Sequence, residues 1–269
     1  MVNHIIAVLC EGPHDIAFIT RILKFNEFKS FQGTKLKDYP KPIDSFLKTE
    51  VLKTNVDDLN LVEIRQVLLP LSTLKKGSNY LLFYSLNGDS KKAERQRLLK
   101  DFYNFIPKEN EISVLPEDTK LSVIYFFDAD EKGVKTRIAE INEEINQTIG
   151  VSPFTDHLEI RTFNNLNLGA YIFSSSDGNG KLEDLVIPLM TDQNEGIFQA
   201  ANSFLDSQFN ESRKIKYDRD KSLIGLVGQL QLSGCSNVVH IEKTDYISID
   251  NIKANDKCLE IASYFSKFI

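Results

Sequence analysis

The 269-residue sequence has no tryptophan and only three cysteines, Cys10, Cys235 and Cys258. Cys10 and Cys258 sit in apolar patterns and Cys235 in a turn-like LSGCSN. No cysteine–histidine cluster has zinc spacing, so a structural zinc site is not expected. The three read as reduced thiols of a cytosolic protein. Long hydrophobic runs are also missing. The longest are Ile5–Cys10, Tyr80–Tyr84 and Val123–Phe127, far short of the roughly 20 apolar residues of a membrane span. The opening MVNHIIAVLCEG lacks the basic region and small-residue cleavage site of a secretory signal. A cytoplasmic protein without membrane association is expected. Positive charge is in deficit, with 32 Lys and Arg against 38 Asp and Glu, a net charge of −6. A protein that coats DNA through bulk charge is excluded, but a local basic or metal-lined site is not. Repeats and low-complexity tracts are absent. The 42% hydrophobic and 26% charged content is that of an ordinary globular chain, and the length suits one α/β domain with an inserted segment.

Buried strands are present in plain form. His4–Cys10 ends at Glu-Gly-Pro, Tyr80–Leu86 at Asn87-Gly88-Asp89, and Val123–Phe127 at Asp128-Ala129-Asp130. Leu158–Phe163 and Leu168–Phe173 read as two more strands, and Val238–Ile241 as a further candidate. Between them lie helical patterns. Ile16, Ile19, Ile22 and Leu23 mark one helix, Lys91–Phe105 a second, and Val134, Ile138, Ile141, Ile145 and Ile149 a third that stops at Gly150. Leu182–Met190 is a short helix interrupted by Pro188, and helices follow near 196–208, 221–232 and 256–268. The stretch from 28 to 76 is irregular, with Pro40 and Pro42 excluding helix and a helical pattern in LVEIRQVLLPL; it reads as an insertion or small subdomain. Continuous apolar strands alternating with amphipathic helices predict a mainly parallel sheet with helices on both faces. Ligands of such sheets bind beyond the carboxyl ends of the strands. The residues there are Glu11, Asp15, Asn87, Gly88, Asp128 and Asp130.

Two strand ends therefore carry carboxylates. Glu11 and Asp15 share the turn EGPHD, and Asp128 and Asp130 form a D-x-D. On extended backbone the outer side chains of D-x-D point the same way and could face one cation. Such clusters suit Mg²⁺, which takes one or two carboxylates plus water and phosphate. The ordinary roles stand beside this: a lone Asp at a helix start is most often a cap or dipole partner, and D-x-D occurs in many loops.

The pair of motifs, VLCEGPHD and IYFFDADEKG, resembles the Toprim superfamily, the topoisomerase–primase domain shared with OLD-family nucleases. With GKLEDL (180–185) and a later lysine, the sequence is most similar to OLD-type Toprim domains and small Toprim-related proteins. The resemblance spans residues 1–27 and about 78–240. The segment 28–76 has no counterpart, and no G-x-x-x-x-G-K-[ST] ATPase motif is present, so the chain is not a full-length OLD protein. The resemblance implies a Toprim-like α/β fold and a divalent-metal-dependent phosphodiesterase, a nuclease acting on DNA or RNA with one or two Mg²⁺ or Mn²⁺ ions. It implies Glu11 as metal ligand or general acid–base, and Asp15, Asp128, Asp130 and Glu183 as metal ligands, with Asp184 beside them. Lys221 would stabilise charge on the phosphoryl group, with Lys181, Lys214 and Lys216 as competitors. Gly12, Gly88 and Lys91 would line the substrate.

Other residues have plainer readings. His14 fits an exposed helix start as well as a phosphate contact. His157 and His240 receive no role. The turn from Asn87 to Lys92 reads as a strand-to-helix connection lining the cleft, and 174–180 (SSSDGNG) as a lid or a simple loop. KKAERQRLLK (91–100) is the most basic patch and a candidate nucleic-acid contact. Two other functions compete. One is a non-catalytic Toprim-like module that binds a nucleotide or a protein partner. The other is a haloacid-dehalogenase-type phosphatase, which ranks lower because its D-x-D follows the first strand and continues Gly-Thr.

Overall fold

The computed structural model describes residues 3–31, 35–52, 68–86, 91–107 and 111–269. Among these, one seven-stranded sheet is formed by β1 (Asn3–Cys10), β2 (Lys29–Ser30), β3 (Ser72–Lys76), β4 (Asn79–Ser85), β5 (Thr119–Asp128), β6 (Ile160–Phe163) and β7 (Leu166–Phe173). The order is β2-β3-β4-β1-β5-β7-β6. The four central strands β4, β1, β5 and β7 run parallel. Antiparallel strands flank them, β2 and β3 on one side and β6 on the other.

The apolar runs explain this placement. Successive side chains of a strand face opposite sides, so β1 divides its residues: Ile6, Val8 and Cys10 enter one core, Ile5, Ala7 and Leu9 the other. The first core lies under α1 (Pro13–Phe25) and a C-terminal group of helices: α5 (Glu183–Thr191), α6 (Glu195–Gln208), α7 (Arg219–Gly228), α8 (Asn237–Lys243), α9 (Ile249–Ala254) and α10 (Asp256–Ser266). The second lies under α2 (Ile43–Leu52), α3 (Lys92–Asn104) and α4 (Gly133–Ile149). Helix α4 ends at Gly150, whose φ of 82° is the left-handed conformation a helix stop favours.

Two readings of the sequence need correction. The apolar VVHI at 238–241 is not a strand but the middle of α8. Its β-branched residues suit either state, and tertiary contacts decide. His240 and Ile241 are buried as a helical pair, and Arg21 of α1 donates to the Ile241 carbonyl at the helix end (2.9 Å). Within 28–76, the polar-looking STLKK is a sheet strand, pairing with β4 from Ser72↔Phe83 to Lys76↔Asn79. KLKDYPKPIDSF, read as loop throughout, gives way to helix at Ile43, because a proline just before the first turn breaks no helical bond; Ile43, Phe46 and Leu47 of α2 enter the second core. The helical pattern at 61–67 lies outside the described residues.

The topology creates a crevice. Neighbours β1 and β5 send their chains to opposite faces: β1 feeds α1 over the first core, β5 feeds α4 over the second. Their carboxyl ends therefore part at a topological switch point, where ligands of open α/β sheets bind.

Candidate functional site

Glu11 follows the last residue of β1, and Gly12 caps α1. Asp15, in the first turn, turns back and accepts the Gly12 N–H at 2.6 Å. That bond fixes the carboxylate against the strand end, where it is buried. The register pairs Cys10 with Phe126, which sets Asp128, the last residue of β5, beside the Glu11 turn. Asp128 Oδ1 accepts the Leu182 N–H at 3.1 Å, drawing in the start of α5. The loop between β7 and α5 is held there by a two-bond bridge: Asp130 N–H to the Gly180 carbonyl (2.8 Å) and Gly180 N–H to the Asp130 carbonyl (3.0 Å). Glu183 consequently arrives buried at the same edge. Its Oε1 lies 3.7 Å from His14 Nδ1 and 3.7 Å from Lys221 Nζ.

Crowded carboxylates raise one another's pKa. Burial, with Glu11 and Glu183 adding, pushes Asp15 up to about 7 although the Gly12 bond opposes it. Burial, then Asp15, Glu11, Glu183 and Asp130, pushes Asp128 up to about 9. Glu11 is raised by burial against the pull of Arg137. Glu183 differs: burial pushes it up, but the His14 hydrogen bond and Lys221 bring it below the usual value. Cys10, beneath the cluster, is raised by burial and by Asp15, Glu11 and Asp128, which rules against a reactive thiolate.

Asp130 departs from the expected geometry. Its φ is 48°, so the chain has left the strand and the D-x-D is not extended. Its carboxylate instead meets Arg137 of α4 in a short hydrogen bond. Arg137 also donates to the Asp128 carbonyl (2.8 Å), approaches Glu11 Oε1 (3.3 Å) and pairs with Glu140 (3.2 Å). Beside it opens a cavity of about 460 Å³ lined by Glu11, Asp130, Arg137, Lys92, Lys132 and Glu143, among others.

The structure thus brings together Glu11, Asp15, Asp128 and Glu183, with Lys221 at their rim and Asp130 turned aside. Lys181 stands one step out, 2.8 Å from Asp220 and 3.8 Å from Asp218. Lys214 and Lys216 are exposed on a separate loop. Asp184 accepts the Lys181 N–H (2.8 Å), a capping role. Lys91 pairs with Glu94 (2.9 Å), and Gly88 lies outside the described residues. The basic helix at 91–100 is largely spent internally: Lys92 faces Glu143, Arg95 holds Glu144, and Arg97 holds Glu50. Neither the Arg137 bridge nor the His14–Glu183 contact has a sequence signal: Asp130 lies before α4 begins at Gly133, so no helical spacing links it to Arg137.

A family model for DUF3226, described as a protein of unknown function, matches residues 6–256. The chain belongs to this family. It is also similar in structure to hypothetical protein PH0156 from Pyrococcus horikoshii OT3, with a TM-score of 0.54 at 13% identity over 98% of this chain and 95% of that one. That likeness shows the α/β fold. No curated protein matches the chain. Among the described residues, no helix is long and apolar enough to cross a membrane.

What this DUF3226 edge can do follows from its donors. Among the described residues, no group of three or more His, Cys, Asp or Glu side chains already stands as a metal cage. The donor set is nevertheless of the right kind: hard carboxylate oxygens from four segments, two of them holding protons against their usual acidity. A divalent cation is the partner that would relieve this crowding.

Proposed function

We propose that the acidic edge binds Mg²⁺ or Mn²⁺ and that the chain is a Toprim-like, metal-dependent phosphodiesterase acting on nucleic acid. The observation that carries the reading is the meeting of Glu11, Asp15, Asp128 and Glu183 at the β1–β5 crevice, where burial and the neighbouring carboxylates raise Asp15 and Asp128. Glu11, Asp15, Asp128 and Glu183 would hold one or two cations; when bound, these activate a water and neutralise charge on the phosphoryl oxygens. Glu11, raised in pKa and facing the cavity, suits the transfer of a proton to or from the reacting oxygen. Lys221, kept protonated by Glu183 and Asp218 against the pull of burial, adds a fixed positive charge at the rim. Arg137 orients Glu11 and keeps Asp130 at the cavity wall.

A second reading is a non-catalytic nucleotide- or partner-binding module. The Arg137 bridge favours it, because a guanidinium already satisfies Glu11 and Asp130. The test compares wild type with Asp128→Asn and Glu11→Ala on single-stranded DNA, duplex DNA and RNA with Mg²⁺ and Mn²⁺. The catalytic reading expects divalent-dependent cleavage lost in both variants. Equal trace cleavage by all three proteins would leave the binding module.

A further inference from the structure

A loop beside Lys221 carries features that the acidic edge does not use. It joins α6 to α7 through FNESRKIKY (209–217). Phe209 and Tyr217, at its two ends, place their ring centroids 4.5 Å apart at 34°. Beside them an open groove of about 700 Å³ is lined by Phe209, Lys214, Ile215, Lys216 and Tyr217, with Gln208 and Asn210. Two apolar side chains stand open in a mainly polar lining: Phe209 is 42% exposed and Ile215 fully so. Lys214 and Lys216 are exposed beside the rings, Lys214 in a surface pair with Glu211 (3.1 Å) that solvent screens and a phosphate can replace.

The base of this loop is fixed rather than loose. Arg219 donates to Asn202 (2.8 Å) and to Asp206 (2.7 Å), clasping α7 to α6. Asp218, next to Tyr217, accepts the Lys221 N–H and lies 3.6 Å from Lys221 Nζ and 3.8 Å from Lys181 Nζ. The chain therefore runs from the groove, through Asp218, to Lys221 at the rim of the acidic edge, with Lys181 one step out.

We propose that this groove is a cradle for single-stranded nucleic acid, delivering the strand to the acidic edge; the proposal rests on the phosphodiesterase reading. An aromatic pair gives bases a face to stack on, and Lys214 and Lys216 meet the phosphates between them, the combination that binds single strands without regard to sequence. Duplex has no unstacked base to offer and binds less tightly. A protein partner would need a broader apolar face than two rings and an isoleucine set among lysines.

The experiment measures fluorescence anisotropy of labelled 12-nucleotide poly-dT, the matching duplex and an RNA strand, in EDTA so that neither metal nor cleavage is needed. Wild type binds single strands more tightly than duplex. Tyr217→Ala weakens single-strand binding about ten-fold, the loss of one stacked base. Lys214→Ser with Lys216→Ser lowers the slope of log affinity against log salt by about 1.4, two single-strand phosphates at roughly 0.7 each. Both lysines are exposed, so the double variant folds, and thermal melts check each protein. Cleavage is read separately with Mg²⁺, where Asp128→Asn loses it while keeping full binding in EDTA. Absence of oligonucleotide binding by wild type, or unchanged binding in both groove variants, overturns the cradle. So does a concentration-dependent dimer in sedimentation that Tyr217→Ala abolishes, which would give the groove to a second copy. Binding without cleavage in wild type retains the cradle and removes the catalytic reading. Cleavage indifferent to the groove variants does the reverse.

Discussion

Asp128 is held protonated by burial and by four neighbouring carboxylates, up to about 9, and Asp15 up to about 7. Both folded values lie above the unfolded value near 3.8. Their contribution to stability is therefore complete below pH about 4 and is lost as pH rises through about 7 and then about 9. Metal-free protein should melt at progressively lower temperature between pH 6 and 9. Asp128→Asn, which keeps the shape and removes the charge, should flatten this decline and raise the melting temperature at pH 8.5 by on the order of 5 °C. Thermal melts in EDTA across that range decide it; parallel curves for variant and wild type would show that Asp128 is not the group under strain. Arg21 makes a different residue-scale claim. Its buried guanidinium donates to the carbonyls of Ile241 (2.9 Å), Thr244 (2.5 Å) and Ile247, stitching α1 to the end of α8. Arg21→Met fits the space but strands these acceptors, at about 1–3 kcal/mol for each one left unsatisfied. Urea unfolding should show a loss of at least about 2 kcal/mol. A raised pKa among these carboxylates follows from the sequence once their motifs share a strand edge, but the particular bonds do not, because each partner comes from a distant segment: Leu182 for Asp128, Ile241 for Arg21.

At the scale of elements, the close approach of α10 to β7 depends on Gly169. A Cβ there would meet Tyr264 Oη at 2.5 Å and Phe268 Cζ at 2.6 Å. Gly169→Ala should cost about 1–3 kcal/mol as α10 is pushed away, whereas Gly12→Ala, whose Cβ meets Asp15 Oδ2 at 3.7 Å and the His14 backbone nitrogen at 4.0 Å, both ordinary contacts, should fold normally. Chemical denaturation of the two variants side by side is the check. Helices α3 and α4 are joined by a buried pair, Arg95 and Glu144 (2.7 Å). Glu144→Ala leaves a buried guanidinium without its carboxylate, and a loss of about 3–5 kcal/mol is expected on urea unfolding. The elements differ in how legible they were. Strands buried on both faces announce themselves as unbroken apolar runs, so β1, β4, β5 and β7 could be placed from sequence, as could α4 from its isoleucine spacing. Strand β3 could not, because an edge strand buries little: only Thr73 and Leu74 of STLKK are buried. Helix α8 was misread because VVHI carries strand-like propensity that its packing on α1 overrides. The acidic motifs were legible because strand ends are where such folds keep their ligands; the Arg137 bridge was not, since it depends on Asp130 leaving the strand at a φ of 48°.

For the whole molecule, the fold concentrates negative charge where the chain can least disperse it. The net charge is −6, and four carboxylates from β1, α1, β5 and α5 meet in one crevice. Cation binding and proton binding must then compete for the same oxygens. Near pH 6, protons on Asp15 and Asp128 occupy the site; near pH 9 Asp15 has lost its proton and Asp128 is half ionised, and the repulsion that metal relieves has grown. The stabilisation by a fixed concentration of Mg²⁺ should therefore grow with pH, since a ligand that binds only the folded state raises its stability with its affinity. Mixing metal with protein in weak buffer at pH 7.5 should release protons, and Asp128→Asn should release fewer. The thermal shift at 5 mM MgCl₂, about zero at pH 5.5, should reach several degrees at pH 8.5 in wild type, at roughly 2–4 °C per kcal/mol for a chain of this size. A shift of equal size at both pH values, or one retained in Asp128→Asn, would place the cation away from the β1–β5 crevice.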